Sequence, residues 1–243
     1  MRENNAVTKA IEAEDLNLFF QDQPALRNVG FTLDWGECLT ILGPNGSGKT
    51  TLMRAIATLL MPTAGTIWVK GKPTTRFRSS DKRIFGAIFH HTLLYPDLTT
   101  YENLKFYGLL YGIREVSNRA YEVADELNLA EVLNKKVRLL SRGTQTRIAF
   151  ARALVHNPSI LLLDEPDTGL DHHAKHMLVE QIDRHRSRGG STFMITHDIN
   201  LAREVGDKVL MLSRGKVAAF EHWNDLHPEM FQEIGFQVED KNL

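Results

Sequence analysis

Residues 43–50 read Gly-Pro-Asn-Gly-Ser-Gly-Lys-Thr, a complete Gly-x-x-x-x-Gly-Lys-Thr pattern. The pattern lies between an apolar run at 38–42 and a helix-like stretch that begins at Thr51. Glycines in that context let backbone N–H groups converge on a polyphosphate, and the N-terminus of the helix adds positive potential. Lys49 would reach the terminal phosphates, and the Thr50 hydroxyl would bind Mg²⁺. The segment therefore predicts a polyphosphate site.

Two acidic residues, Asp164 and Glu165, follow the apolar run 160–163. A strand end is where α/β sheets place ligand chemistry. Asp164 would hold Mg²⁺ directly or through water, and Glu165 would orient and deprotonate an attacking water. His197 follows the next apolar run. A lone histidine there is more often structural, but the acids on the neighbouring strand also allow a contact with a terminal phosphate.

Composition limits the class of protein. The 243 residues are 42% hydrophobic and 24% charged, as in a soluble globular protein. The net charge of −1 gives no global basic field, so no nucleic-acid partner is expected. Cys38 is the single cysteine, which excludes an intramolecular disulfide and suits a reducing compartment. The polar N-terminus and the absence of a long apolar run predict that any membrane role depends on a partner.

Periodicity divides the chain into sheet and helical parts. Residues 11–35 predict two short strands around a turn at 21–24, and 66–70 and 84–89 are strand-like. From Thr100 to about residue 135 the apolar positions follow a helical period, which predicts an inserted helical subdomain. Ser141 is a candidate N-cap for a helix through Val155. A βαβαβ series then follows, with strands at 160–163, 192–195 and 208–212 and helices at about 174–188 and 199–205.

The motifs together resemble the ATP-binding subunit of ABC transporters over nearly the whole chain. Four segments stand in the order of that family: 43–50, 163–166, 169–171 and 196–198. Leu-Ser-Arg-Gly-Thr-Gln at 140–145 stands in place of the family signature Leu-Ser-Gly-Gly-Gln. The resemblance implies an α/β P-loop NTPase of the ABC ATPase type, with a mostly parallel core sheet, an antiparallel β subdomain and an inserted helical subdomain. It also implies one nucleotide-binding domain over 1–243, with the helical part at about 100–155 and a C-terminal tail at 221–243.

The resemblance further implies a mechanism that uses ATP and Mg²⁺. Two subunits, identical or paralogous, would face each other head to tail, so that Ser141 and Gly143 of one touch the γ-phosphate held by the other. Asp171 would line the dimer contact. Phe20 falls where the family stacks an aromatic ring on adenine; Phe19 is the alternative, and simple core packing is the other explanation of Phe20. Hydrolysis would drive a separate integral membrane subunit, placing the protein in the cytoplasm, peripheral to the inner face of the cell membrane.

The implied site residues form three groups. The nucleotide-binding group is Phe20, Gly43, Pro44, Asn45, Gly46, Ser47, Gly48, Lys49, Thr50, Thr51, Ser141, Arg142, Gly143 and Asp171. The catalytic group is Glu165 and His197, and the metal group is Thr50, Asp164 and His91.

Two positions depart from the family pattern. A histidine, His91 in the preferred alignment and His90 in the other, stands where the family has a glutamine that contacts Mg²⁺ and relays the nucleotide state. Imidazole lacks the amide carbonyl that suits hard Mg²⁺, so metal affinity or coupling would differ. Arg142 replaces the first signature glycine, where it either helps to bind anions or points to solvent.

A narrower resemblance concerns the Ser-Arg-Gly form of the signature, followed by Gln145 and Arg147. This form is similar to the ATP-binding subunit of heme exporters in cytochrome c maturation, and the segments 90–95 and 102–107 resemble the same group. None of these residues is chemically tied to heme. The cargo would be chosen by the membrane partner.

Two other functions fit part of the pattern. A soluble ABC ATPase, for example of the iron–sulfur assembly type, would use the same motifs without a membrane partner. A non-hydrolysing nucleotide sensor would tolerate His91, but Glu165 and His197 argue against it. His172, His173 and His176 also form a cluster, which is better explained as a solvated helix start than as a metal site, because no third ligand of suitable spacing accompanies His172 and His176.

Overall fold

The computed structural model describes residues 9–89 and 92–227. Two sheets and six helices carry the described chain. The strands are β1 (Lys9–Phe20), β2 (Gln23–Asp34), β3 (Cys38–Leu42), β4 (Ala64–Val69), β5 (Lys72–Pro73), β6 (Phe85–Ile88), β7 (Ile160–Asp164), β8 (Ser191–Ile195), β9 (Lys208–Ser213) and β10 (Lys216–His222). The helices are α1 (Lys49–Ile56), α2 (Thr100–Leu110), α3 (Val116–Glu126), α4 (Arg142–Leu154), α5 (His172–Ser187) and α6 (Ile199–Val205).

The core sheet has the order β10-β9-β3-β8-β7-β6. Its strands from β9 to β6 are parallel, and β10 pairs antiparallel with β9 at one edge. Every residue of β3, β7 and β8 is buried, which explains why these strands are almost continuous apolar runs. Their carboxyl ends meet at one edge of the sheet, where the predicted phosphate loop and acidic pair follow.

The second sheet is antiparallel and has the order β2-β1-β4-β5. The prediction of short strands over 11–35 was wrong in length, since β1 and β2 have twelve residues each. Their pairing continues through several register shifts, and these irregularities obscure the strict alternation on which the sequence estimate depended. The turn is confined to Gln21 and Asp22, with Gln21 in the left-handed region at φ 54°.

The helical part begins at a capping box. Thr99 accepts a hydrogen bond from the backbone of Glu102, and the Glu102 carboxylate accepts one from the Thr99 backbone, which fixes the start of α2. Short 3₁₀ turns at 130–132 and 137–139 connect α3 to α4. The predicted cap of α4 is confirmed, because Ser141 Oγ accepts from the backbone N–H of Thr144.

Helix α4 then crosses the edge strand β6 at close range. A Cβ on Gly86 would lie 2.5 Å from the carbonyl oxygen of Ala153 and 2.7 Å from Cγ of Pro158. Only glycine therefore permits this approach of the helical part to the sheet.

The chain after β9 packs on the core. Glu221 and His222, where a tail was expected to begin, complete β10. Trp223 is buried, and its indole N–H donates to Thr40 Oγ1 over 2.9 Å. Phe236, also assigned to the tail, lies outside the described residues. No helix within 9–89 and 92–227 is both long enough and apolar enough to cross a membrane.

Candidate nucleotide-binding site

The phosphate loop joins β3 to α1 through glycines that the surrounding backbone requires. Gly48 caps α1 at φ 106°, and a Cβ there would lie 2.7 Å from the Ala25 carbonyl oxygen. A Cβ on Gly43, at φ 150°, would lie 2.2 Å from the Leu212 carbonyl oxygen. The loop therefore lies in close contact with β2 on one side and with the end of β9 on the other. These contacts fix the position of its N–H groups at the start of α1.

Lys49 is folded back over this loop. Its Nζ donates to the carbonyl oxygens of Gly43 (2.7 Å) and Pro44 (3.1 Å). Burial lowers the pKa of Lys49, and the carboxylates of Glu165 and Asp164 act in the opposite direction. Beside it, Ser47 Oγ is buried and has no hydrogen-bond partner within the part of the chain that the structure describes. The loop therefore offers an ammonium and an unsatisfied hydroxyl, groups that suit an anionic oxygen.

The predicted metal pair is brought together by the fold. Thr50 in the first turn of α1 donates from Oγ1 to Oδ1 of Asp164 at the end of β7, over 3.3 Å. A hydroxyl and a carboxylate are hard oxygen donors, which fits Mg²⁺. His91, the third residue assigned to the metal, lies outside the described residues, and its role stays a prediction.

The predicted catalytic pair also meets at this edge. His197 Nε2 lies 3.1 Å from Oε1 of Glu165. Glu165 adopts φ 51°, an uncommon left-handed conformation for a glutamate, and its N–H donates to the Ile195 carbonyl of β8. Such local strain is typical of functional sites. The turn after β7 thus points the Glu165 carboxylate toward His197, two residues after the end of β8.

A polar network behind this pair was not predicted from the sequence. Thr196 Oγ1 donates to Oδ1 of buried Asp167 over 2.9 Å and accepts from the backbone of Asp198. Burial raises the pKa of Asp167. Burial acts to raise the pKa of Asp198 as well, but the hydrogen bond from Lys175, at 2.6 Å, and those from the α6 backbone hold it below its ordinary value. The network connects the segments that follow β7 and β8. Its only signal in the sequence was the presence of polar residues in or beside the segments 163–166 and 196–198.

A pocket of about 380 Å³ opens over the loop. Its lining combines Phe20, residues 23–25 of β2, residues 45–51 and Glu165. Phe20 is 50% exposed, so its ring is available to a ligand, and it is not a core residue. Phe19 is 44% exposed but does not line the pocket. The geometry favours Phe20 over Phe19 as the aromatic wall.

Residues 26–168 match the family model described as ABC transporter. The chain belongs to the ABC transporter family. The match includes the phosphate loop and the Asp164–Glu165 pair, which the fold brings together at the carboxyl edge of the core sheet, and it also includes the signature segment.

Similar proteins support the same assignment. This ABC protein is 35% identical over 214 residues to the ABC transporter ATP-binding protein NatA of Bacillus subtilis, a match that covers 85% of this chain and 87% of the relative. It is 32% identical to the Nod factor export ATP-binding protein I of Rhizobium etli, covering 94% of this chain and 72% of the relative. It is also 33% identical to an Fe(3+) ions import ATP-binding protein of Haemophilus influenzae, covering 98% and 70%.

Solved structures agree with the fold. An ATP-binding subunit of an ABC transporter superposes with a TM-score of 0.83 at 28% identity, covering 93% of this chain and 95% of the other. A dimeric ATP-binding cassette in a post-hydrolysis state, bound to ADP and Pi, gives 0.78 at 30% identity, covering 87% and 98%. This ABC protein is accordingly an ATP-binding subunit that hydrolyses ATP and uses Mg²⁺, and its fold is the predicted P-loop NTPase.

The signature residues of this ABC ATPase do not join the pocket of their own subunit, since its lining contains no residue of 141–143. Nothing lies within 4 Å of a Cβ built on Gly143, so this position is open. Arg142 lies against the turn at Gly169, its Cδ being 3.9 Å from a Cβ built there. Asp171 caps α5 by accepting from the N–H of Ala174.

Helix α5 begins at His172, so His172 and His176 are four residues apart within one helix and lie on the same face of it. Even so, within 9–89 and 92–227 no group of three or more His, Cys, Asp or Glu residues is placed to hold a metal ion.

Proposed function

We propose that this ABC ATPase is the motor subunit of a membrane transporter, in which ATP binding and hydrolysis drive a separate integral membrane subunit. The observation that carries the proposal is the convergence of the Thr50–Asp164 and Glu165–His197 pairs at one edge of a pocket that also contains Phe20. ATP supplies the phosphoanhydride bond whose hydrolysis releases free energy, and Mg²⁺ neutralises phosphate charge when bound.

In the proposed hydrolysis, each side chain has a limited task. Lys49 and the N–H groups of the loop hold phosphate oxygens, and Thr50 and Asp164 provide the oxygen ligands of Mg²⁺. The Glu165 carboxylate accepts a proton from the water that attacks the γ-phosphorus, while the bond to the bridging oxygen breaks and ADP leaves. His197, hydrogen-bonded to Glu165, holds that carboxylate in position and contacts the transferred phosphoryl group.

A second subunit completes the site in this proposal. Ser141 and Arg142 are exposed and the Gly143 position is open at the N-terminus of α4, where a backbone N–H cluster suits an anion. A head-to-tail dimer, with an identical copy or a paralogue, would present them to the phosphates held by the other subunit. The dimeric state of the structural relative bound to ADP and Pi supports this arrangement.

The membrane partner places the protein at the cytoplasmic face of the cell membrane. In this proposal the partner binds to α2 and α3. The test is affinity capture of the tagged protein from detergent-solubilised membranes of its own cells, followed by identification of what co-purifies. A multi-span membrane protein recovered in stoichiometric amount supports the proposal. Recovery of soluble partners alone would instead support a soluble ABC ATPase of the iron–sulfur assembly type, which the transporter names of the quoted relatives do not favour.

Heme export in cytochrome c maturation is the cargo proposed from the Ser-Arg-Gly signature and its flanking residues. The support is the sequence resemblance alone, because the quoted relatives are named for Fe(3+) import and for Nod factor export. Deletion of the gene should then abolish holo-cytochrome c while leaving the apoprotein intact. Normal holo-cytochrome c in the deletion strain would exclude this cargo without affecting the transporter proposal.

A further inference from the structure

A strongly basic strip precedes β6. Within the fourteen residues 70–83 there are six Lys or Arg side chains and one acidic residue, although the whole chain has a net charge of −1. The basic residues are Lys70, Lys72, Arg76, Arg78, Lys82 and Arg83. All of them except Lys72 are exposed. The strip therefore concentrates positive charge on a protein that is otherwise net acidic.

The carboxylate of Asp81 holds the strip in one conformation through two hydrogen bonds. Asp81 accepts from Lys72 Nζ and from the backbone N–H of Arg78, each over 2.6 Å, so the segment folds back against β5. Lys72 also lies over the ring of Phe77, 5.7 Å from its centroid, and Phe77 packs toward Phe85 of the core. Among the ion pairs of the described residues, Lys72–Asp81 is the one that involves the strip. The other five cations form no ion pair within the described residues, so they are open to an external partner.

An apolar edge adjoins the cationic surface. A guanidinium nitrogen of Arg83 lies 3.9 Å from a Cβ built on Gly112, in the turn that ends α2. That same turn carries Leu109 and Leu110, which are 57% and 68% exposed. Exposed cations that form no ion pair among the described residues, with two exposed leucines close to Arg83, match a membrane surface, where anionic headgroups lie next to the acyl region. Exposed aromatic rings, which single-stranded nucleic acids use for stacking, are not part of the strip, since Phe77 is packed.

We propose that residues 70–83, together with Leu109 and Leu110, form a surface that binds the anionic phospholipid headgroups of a membrane directly. The strip lies before the amino end of β6, and the nucleotide site lies at the carboxyl edge of the same parallel sheet. Lipid contact would therefore leave the pocket accessible. It would orient the subunit on the bilayer in addition to the transmembrane partner, which docks on the same helical part.

The test is flotation of the full chain, without nucleotide or partner, with vesicles of phosphatidylcholine alone or mixed with anionic phosphatidylglycerol. The protein is expected to float only with the anionic vesicles, and added salt should release most of it. The variant Arg76→Gln/Arg78→Gln/Lys82→Gln should bind about 100-fold more weakly, since each of the three basic residues near an anionic surface contributes roughly fivefold in affinity. Leu110→Ser should reduce the fraction that salt does not release.

The matched control is Lys135→Gln/Arg203→Gln/Lys216→Gln, which removes the same charge from exposed positions elsewhere. It should bind like the unmodified protein, and both triple variants should keep normal ATP turnover. Equal binding to the two kinds of vesicle, or equal losses in the two triple variants, would overturn the proposal. Binding of a single-stranded oligonucleotide in place of vesicles would overturn the lipid assignment as well. Because no nucleotide or partner is present, any of these results leaves the transporter proposal intact.

Discussion

At the scale of single residues, the sequence was most informative where the chemistry needs several side chains at fixed spacing. Lys49, Thr50, Asp164 and Glu165 could be assigned from their motifs, and the fold brings them to one pocket edge. Asp167 was not predicted as part of the site. Its partner Thr196 comes directly after another strand, β8, and their contact depends on the register of β7 against β8, which a single sequence does not show.

Glu165→Gln tests the assigned general base. The amide cannot accept a proton from water, so steady-state ATP turnover should fall by about 10²–10⁴-fold while nucleotide affinity is kept. Turnover is measured by phosphate release and affinity by equilibrium binding of a fluorescent nucleotide. Glu204→Gln, an exposed glutamate on α6, serves as control and should behave normally. Unchanged turnover in Glu165→Gln would remove the residue from the mechanism.

Asp164→Asn tests the metal ligand. An amide oxygen is a weaker ligand for Mg²⁺ than a carboxylate, so the Mg²⁺ concentration for half-maximal turnover should rise at least severalfold. Binding of the nucleotide measured in the presence of a chelator should change little. A Mg²⁺ titration that matches that of the unmodified protein would show that Asp164 is not a ligand.

At the scale of elements, existence and type were easier to predict than length. The buried parallel strands and the Ser141 cap follow from apolar runs and cap chemistry. The hairpin β1–β2 was underestimated because register shifts interrupt its alternation. The close crossing of α4 over β6 was also not foreseen, since Gly86 in a strand pattern does not reveal which element approaches it.

Gly86→Ala tests that crossing. The added methyl would lie within 2.5 Å of the Ala153 carbonyl, so the unfolding free energy should fall by about 1–3 kcal/mol. The matched control is Gly30→Ala in β2, where the nearest atom to a new Cβ is 3.5 Å away. Urea unfolding of the two variants should separate them clearly. Equal stabilities would mean that α4 and β6 are not in close contact.

His156, two residues after the end of α4, should make stability depend on pH. Its ring stacks on Tyr111, with centroids 3.7 Å apart, and burial lowers its pKa from 6.5 to about 4, against the hydrogen bond with the Phe85 carbonyl. As the pH falls, the unfolded chain therefore binds a proton at His156 at a higher pH than the folded chain does. Stability is fully present above about pH 6.5 and is lost as the pH falls toward 4.

Between about pH 7 and pH 5 this group should cost about 2 kcal/mol of unfolding free energy. His156→Gln should lose that component of the slope, measured by urea unfolding at both pH values. Burial also lowers the pKa of His185, so the His156→Gln variant should keep a smaller pH dependence of the unfolding free energy, in the same direction. A slope that His156→Gln does not change would show that His156 is not buried as a neutral ring.

At the scale of the whole molecule, the fold class was predictable because five motifs appear in one order along the chain. What one chain could not supply is its environment. Residues 141–143 do not line the pocket of their own subunit, and in the proposed dimer they complete the site of the other subunit. The identity of cargo and membrane partner is likewise a property of another protein.

The central claim is that ATP is enclosed between the phosphate loop of one subunit and the signature of another. The most direct measurement is the molar mass in solution, by light scattering, of Glu165→Gln and of Glu165→Gln/Gly143→Asp, each with and without ATP. We predict that Glu165→Gln is a dimer only with ATP, and that the added carboxylate at the open Gly143 position keeps the protein monomeric while each monomer still binds ATP. A dimer that forms equally well with Gly143→Asp, or a Glu165→Gln protein that stays monomeric with ATP bound, would contradict the account.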